Sequence, residues 1–311
     1  MHSNQNLFEK ALSGDSPIVL DGGLATELES QGFEIGTTLW SAGLLQSNPA
    51  AIIAAHRAYL EAGAEIIISA SYQASRQGFM SLGLSEQEAD DLIFSSVELA
   101  CTARKQFLDA NPETTYTPIV AVSIGPYGAA LHDGSEYTGS YDINETGLRN
   151  FHEARLQLLD QSNADVLTCE TIPNKLEANV LLELLKNVRL PAWVSFSCRN
   201  DRRISDGTPL QHVAAMYRDH PRVLALGVNC TAPHFVASLI GKLRKAVPDK
   251  AIVVYPNLGE TYDVSTNSWF GTASPDECAA AAQSWRDAGA KIIGGCCRVG
   301  PGHITAIRDQ L

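Results

Sequence analysis

The sequence predicts an α/β fold class, a single (β/α)8 TIM barrel with its active site at the C-terminal ends of the strands. Three observations carry that expectation. Short apolar, β-branched runs alternate with longer helical patterns, as in a parallel sheet covered by helices. The runs number eight. A chain of 311 residues that is 45% apolar can bury a core large enough for one such barrel. A doubly wound nucleotide-binding sheet would open on Gly-x-Gly-x-x-Gly, which this chain lacks. No low-complexity linker or repeat longer than the βα unit divides the sequence, so residues 1–311 read as one barrel domain.

Taken in order, the expected strands run from Ile18 to Asp21, Glu65 to Ala70, Pro118 to Ile124, Asp165 to Glu170, Ala192 to Cys198, Val223 to Cys230, Ala251 to Pro256 and Lys291 to Gly295. Helical patterns follow at Pro49 to Ala62, Ser85 to Leu108, Glu145 to Ser162, Lys175 to Val188, Thr208 to Arg218, Pro233 to Ala246, Ser274 to Ala288 and His303 to Gln310. Ser85-Glu86-Gln87-Glu88, Thr208-Pro209 and Ser274-Pro275-Asp276-Glu277 are good helix starts. Ala62-Gly63-Ala64 and Ala288-Gly289-Ala290 are good stops.

In such barrels the chemistry gathers where strands end. Those ends read Asp21-Gly22-Gly23, Ser71-Tyr72-Gln73, Gly125-Pro126-Tyr127, Glu170-Thr171, Ser197-Cys198, Asn229-Cys230, Asn257 and Cys296-Cys297. If the strands before Cys230 and Cys296 are neighbours, the sulfurs of Cys230, Cys296 and Cys297 can converge on a metal about 2.3 Å from each. Successive side chains on a regular strand point to opposite faces, so Gly294-Gly295 would supply the distortion that turns both adjacent cysteines inward. Three thiolates with no fourth protein ligand describe a catalytic zinc with one open position. On the cysteines alone, buried core thiols and a strained vicinal disulfide stay open as readings.

Composition narrows the classes further. A net charge of -12 without a basic stripe argues against nucleic acid. No basic-then-apolar leader opens the sequence and no apolar run could span a bilayer, so a cytoplasmic protein with no membrane association is expected. Seven cysteines outside any short framework fit a reducing compartment. Nothing calls for an obligate protein partner, and a monomer is compatible with the chain.

The segments Asp21-Gly22-Gly23-Leu24-Ala25-Thr26-Glu27-Leu28, Asp165 to Thr171, Val228-Asn229-Cys230, Tyr255-Pro256-Asn257 and Gly294 to Arg298 together resemble the homocysteine S-methyltransferase family over nearly the whole chain. Leu39-Trp40-Ser41, Ser71-Tyr72-Gln73-Ala74-Ser75, Asp133-Gly134-Ser135-Glu136-Tyr137 and Gly259-Glu260-Thr261-Tyr262-Asp263 look most like the branch that uses S-methylmethionine or S-adenosylmethionine. The resemblance implies one zinc held by Cys230, Cys296 and Cys297, and homocysteine held near Asp21, Gly22, Gly23 and Glu170. Multi-domain methionine synthases carry folate and cobalamin modules behind a similar barrel. This chain ends at Leu311 without them, so a small direct donor is expected.

The chemistry agrees with that implication. A free thiol with a pKa of about 8.5 is mostly protonated at neutral pH, and coordination to zinc removes the proton. Transfer from a sulfonium releases a neutral thioether, which needs no general acid. Asp21 and Glu170 can pair with the acceptor's ammonium, and the backbone N–H groups of Gly22 and Gly23 can meet its carboxylate. The bland alternatives are solvated loop acids and a simple turn. Trp40, Tyr72 and Tyr127 offer aromatic faces to a cationic donor, with core packing as the competing reading for each. The Gly- and Tyr-rich stretch from Gly125 to Tyr141 suggests a lid over that donor, or an ordinary long loop.

Cys101 and Cys278 fall within helices and Cys169 faces the helical layer, so all three read as core thiols. Cys198 and His234 remain as alternative ligands or supporting groups. Two competing functions are carried forward: a betaine-homocysteine methyltransferase, since betaine is also cationic, and a thiol redox or metal-storage protein. A zinc hydrolase is disfavoured because no H-E-x-x-H-like spacing is present.

Overall fold

The computed structural model describes residues 6–33, 43–259, 261–263, 268–270 and 274–311; for 261–263 and 268–270 it describes only the backbone. Eight parallel strands form one sheet: β1 (Ile18–Val19), β2 (Ile66–Ile68), β3 (Ile119–Ile124), β4 (Val166–Ile172), β5 (Ala192–Phe196), β6 (Val223–Asn229), β7 (Ala251–Tyr255) and β10 (Ile292–Ile293). A separate antiparallel hairpin, β8 (Thr261–Asp263) with β9 (Ser268–Phe270), follows β7. The sheet order is β1-β10-β7-β6-β5-β4-β3-β2, and a parallel bridge from Leu20 to Ile66 joins the two end strands, so the sheet closes on itself. The eight-stranded barrel read from the sequence is the fold observed.

Alternation within each strand builds two apolar shells. Ile18, Leu20, Ile66, Ile119, Val166, Val253 and Ile292 fill the barrel, while Val19, Ile67, Val120, Leu167, Val194, Leu226 and Ile293 face the helices. Burying both faces explains why the strands read as continuous Ile and Val runs. The helix Leu7–Leu12, absent from the sequence expectation, puts Phe8 into the inner shell, its ring centroid 5.6 Å from that of Trp193. Asn6 caps this helix by accepting from the Phe8 N–H at 2.8 Å and donates to the Asp165 carbonyl at 2.8 Å.

The helix signals act as expected. Ser85 and Glu88 form a capping box, as do Ser274 and Glu277. Gly63 and Gly289 sit at φ of 102° and 108°, a left-handed stop that favours glycine. The expected helix Thr208 to Arg218 is shorter, Leu210–Ala215. Four further short helices interrupt stretches read as loop: Leu24–Ser30, Gly43–Ser47, Arg76–Ser81 and Tyr127–Leu131. No helix among the described residues is long and apolar enough to cross a membrane.

Candidate metal centre and substrate pocket

Toward the carboxyl mouth the inward positions turn polar. Ser123, Thr168, Ser195, Asn229 and Tyr255 are all buried there. They satisfy one another: Ser195 donates to Asn229 Oδ1 at 2.8 Å, the Trp193 indole N–H donates to the Tyr255 hydroxyl at 3.2 Å, and Ser195 Oγ lies 2.6 Å from that hydroxyl. Above this layer opens a cavity of about 310 Å³ at the strand ends, lined among others by Gly22, Tyr72, Glu136, Glu170 and the three cysteines.

The cysteines meet, although not as expected. β6 and β10 are not neighbours, because β7 lies between them. The end of β7 anchors both instead: Cys230 N–H donates to the Tyr255 carbonyl at 3.3 Å and Cys296 N–H to the Pro256 carbonyl at 2.8 Å. Cys230 takes a left-handed φ of 44° as the chain leaves β6. A Cβ at Gly295 would sit 2.2 Å from Val299 Cγ1 and one at Gly23 2.8 Å from the Cys296 carbonyl oxygen, so glycine permits the close passage that presents Cys296 and Cys297. Cys230 Sγ lies 2.7 Å from Cys296 Sγ and 4.0 Å from Cys297 Sγ, and all three sulfurs fall within 4.8 Å of one another.

Tetrahedral zinc-sulfur bonds of about 2.3 Å place thiolates about 3.8 Å apart. The observed separations bracket that value, and the soft three-sulfur donor set suits zinc. Hydrogen bonds from Cys230 and Cys296 favour the anion at Cys297 and hold its thiol well below the usual value, whereas Cys230 is pushed up. Among the described residues this is the one cluster of His, Cys, Asp or Glu placed to hold an ion. Cys198 and His234 stand outside it. Cys198 is buried with its N–H on Thr231 Oγ1 at 2.9 Å, and the exposed His234 ring stacks 4.0 Å from that of Phe235. Cys101, Cys169 and Cys278 pack in or against the outer apolar shell, as read.

Two carboxylates are buried beside the thiols. A register shift between Cys169 and Ile172, with Thr171 at φ 58°, is a bulge that turns Glu170 and Thr171 toward the cavity. Ser123 donates a short hydrogen bond to Glu170, yet burial pushes the Glu170 carboxyl up to about 7. Burial also pushes Asp21 well above the usual carboxylate range, and neighbouring Glu170 adds to the shift. Asp21 Oδ2 accepts from the Ile68 N–H at 2.7 Å, while Oδ1 is buried without a partner. The two expected backbone donors differ: Gly23 N–H already bonds the Val299 carbonyl at 3.0 Å, which leaves Gly22 as the amide able to serve a ligand.

Of the aromatic candidates, Tyr72 lines the cavity. Tyr127 does not: it opens a helix and packs edge-on against Tyr141 and Phe151, at 5.7 and 5.1 Å between centroids, so packing accounts for it. Trp40, with residues 34–42, lies outside the described residues, as does Glu260. Two lining residues were missed as site residues, Glu136 and Tyr137 on the short 3-10 turn Ser135–Tyr137. Their segment is built rather than irregular. Buried Glu177 clamps it by accepting from the Tyr127 N–H at 2.6 Å and the Tyr141 hydroxyl at 2.8 Å, with His152 Nε2 2.7 Å from the same carboxylate.

A closed parallel barrel with a thiol cluster and buried acids at its carboxyl mouth defines a barrel enzyme that works at its strand ends. The family model described as homocysteine S-methyltransferase matches residues 18–311, and the chain belongs to that family. Homocysteine S-methyltransferase YbgG of Bacillus subtilis is 47% identical over 293 residues, covering 93% of each chain. Homocysteine S-methyltransferase of Escherichia coli is 42% identical over 312 residues, covering 99% of each. The solved structure of the homocysteine methyltransferase MmuM from Escherichia coli, in its metallated form, superposes with a TM-score of 0.88 at 40% identity, covering 98% of this chain and 100% of that one.

Proposed function

We propose that the protein transfers a methyl group from a sulfonium amino acid, S-methylmethionine by preference and S-adenosylmethionine also, to the thiol of homocysteine, forming methionine. The observation that carries this reading is the convergence of three sulfurs within 4.8 Å at the wall of a pocket that Glu170 also lines, with Asp21 buried at the neighbouring strand end. Cys230, Cys296 and Cys297 would hold a single zinc, whose chemistry is to keep the acceptor thiol deprotonated at neutral pH.

The remaining work falls to the chain's own residues. Glu170 at the pocket wall and the unpartnered Asp21 Oδ1 buried behind it would together seat the acceptor's ammonium, which supplies the missing donor and the charge that favours the ionised carboxylates. Gly22 lines the cavity, and its N–H would meet the acceptor's carboxylate. Ser123 fixes Glu170, and the Asn229 side chain fixes Thr171 through bonds of 2.7 and 2.8 Å, so the seat is rigid before substrate arrives. Tyr72 presents an aromatic wall suited to a cationic donor. The sulfur-to-sulfur displacement neutralises charge, which a water-poor pocket favours, and its neutral thioether product leaves without an acid. The single barrel domain, residues 1–311, is proposed to suffice for binding both substrates, and no protein partner is invoked.

A panel of S-methylmethionine, S-adenosylmethionine, betaine and methyltetrahydrofolate, each offered with homocysteine, tests the proposal. Methionine should form fastest with S-methylmethionine, more slowly with S-adenosylmethionine, and not with the other two. Betaine at a matching or higher rate would overturn the donor assignment. A redox or storage protein would form no methionine with any of them.

A further inference from the structure

Besides Glu170, the pocket wall carries a buried carboxylate for which the acceptor has no use. Glu136 is 6% exposed, lines the cavity, and its Oε2 is buried without a hydrogen-bond partner among the described residues. It sits on a turn held in shape: the Ser135 N–H donates to Asp133 Oδ1 at 2.9 Å, and the Glu177 clamp fixes the segment on either side. Charge balance inside the pocket is one-sided. The described lining holds Glu29, Glu136 and Glu170 against one basic residue, Arg298, whose guanidinium lies 3.8 Å from Glu29. A buried carboxylate oxygen without a donor persists where a ligand completes it.

Resting on the reading of a sulfonium amino acid as donor, we propose that Glu136 binds the α-ammonium of that donor and so selects amino-acid sulfonium donors over betaine. Asp21 and Glu170 serve the acceptor from β1 and β4, whereas Glu136 comes from the segment between β3 and the helix Glu145–Asp160, beside Tyr137 at the mouth. The ammonium, rather than the sulfonium, is its target for a kinetic reason. Positive charge on the donor sulfur vanishes as the methyl moves, so a carboxylate held against it would stabilise the ground state more than the transition state. Charge on the ammonium does not change, and an ion pair there binds donor without slowing transfer. Betaine has no N–H to give Oε2 and would leave it unpartnered.

The test compares S-methylmethionine with 4-(dimethylsulfonio)butanoate, which keeps the sulfonium, chain and carboxylate but lacks the amino group. Wild type should favour S-methylmethionine in kcat/KM by roughly 30-fold or more, the size expected for losing one partner of a buried charge pair. Glu136→Gln should raise the S-methylmethionine KM by a similar factor, leave the homocysteine KM within about twofold, and leave the deaminated donor's kcat/KM unchanged. Equal use of the two donors by wild type overturns the proposal whether or not the variant folds. So does an equal loss with both donors in Glu136→Gln, or a rise in homocysteine KM instead. Transfer from betaine alone would instead remove the sulfonium reading beneath the proposal, and the same wild-type panel shows it.

Discussion

Thr171, Cys230 and Arg298 hold φ values of 58°, 44° and 70°, a left-handed conformation that costs a non-glycine residue about 1–3 kcal/mol. All three stand at the pocket, and at Cys230 the reward for that strain is the thiol's placement beside Cys296. Replacing Cys230, Cys296 or Cys297 by Ala should abolish stoichiometric zinc and lower kcat more than about 100-fold, since even groups that merely support a metal ligand cost 10–100-fold. Metal analysis beside the rate checks this, and an active variant that retains one zinc would free that cysteine from the set. Glu170→Gln and Asp21→Asn should raise the homocysteine requirement while zinc stays bound; unchanged affinity in both would place the ammonium elsewhere. Glu170 also links stability to pH. Its carboxyl, lifted from 4.5 to about 7, keeps its proton when folded, so the stability it contributes is full below about pH 4.5 and lost as pH rises through about 7. In metal-free protein Glu170→Gln should therefore gain relative to wild type between pH 5 and pH 8, by on the order of 1–3 kcal/mol, in thermal melts. A constant difference would contradict the raised value.

At the scale of elements, the clamp on residues 125–141 is the part that tunes the donor side. Glu177→Ala removes three hydrogen-bonding contacts of a fully buried acid and should cost about 2–4 kcal/mol of stability. The donor KM should rise with little change for homocysteine, because Glu177 bonds Tyr127, Tyr141 and His152 rather than Asp21 or Glu170; the reverse pattern would mean that the clamp does not carry the donor wall. This segment also shows where sequence reading stops. Helix caps at Ser85 and Ser274 and stops at Gly63 and Gly289 were legible because local backbone chemistry decides them. The three thiols and two acids were legible because barrel chemistry lies at strand ends. Glu136 was not singled out, since Asp133-Gly134-Ser135-Glu136-Tyr137 entered only as a branch resemblance, and burial is non-local: Gly128 passes against the backbone N of Glu136. The place of β7 between the cysteine strands was hidden for the same reason: strand order is a non-local property. Gly23's amide looked available until the Val299 carbonyl was found on it.

Across the whole molecule, the barrel grades from an apolar floor to a polar layer to the reactive mouth. Phe8 closes the floor against Trp193 at the amino ends of the strands, where Asn6 beside it bonds the Asp165 carbonyl just before β4. Phe8→Ala should cost about 3–5 kcal/mol by opening a cavity, with zinc content and kcat of the folded protein unchanged; loss of zinc would show that floor and mouth are coupled. One zinc on Cys230, Cys296 and Cys297 is proposed to activate homocysteine for attack on a sulfonium methyl. The most direct measurement follows labelled methionine formed from carbon-skeleton-labelled homocysteine and unlabelled S-methylmethionine while zinc is returned stepwise to metal-stripped protein. Labelled methionine should form at a rate that rises in proportion to bound zinc and levels off at one ion per chain. Full activity in the metal-stripped protein, or none at one zinc per chain, would contradict it.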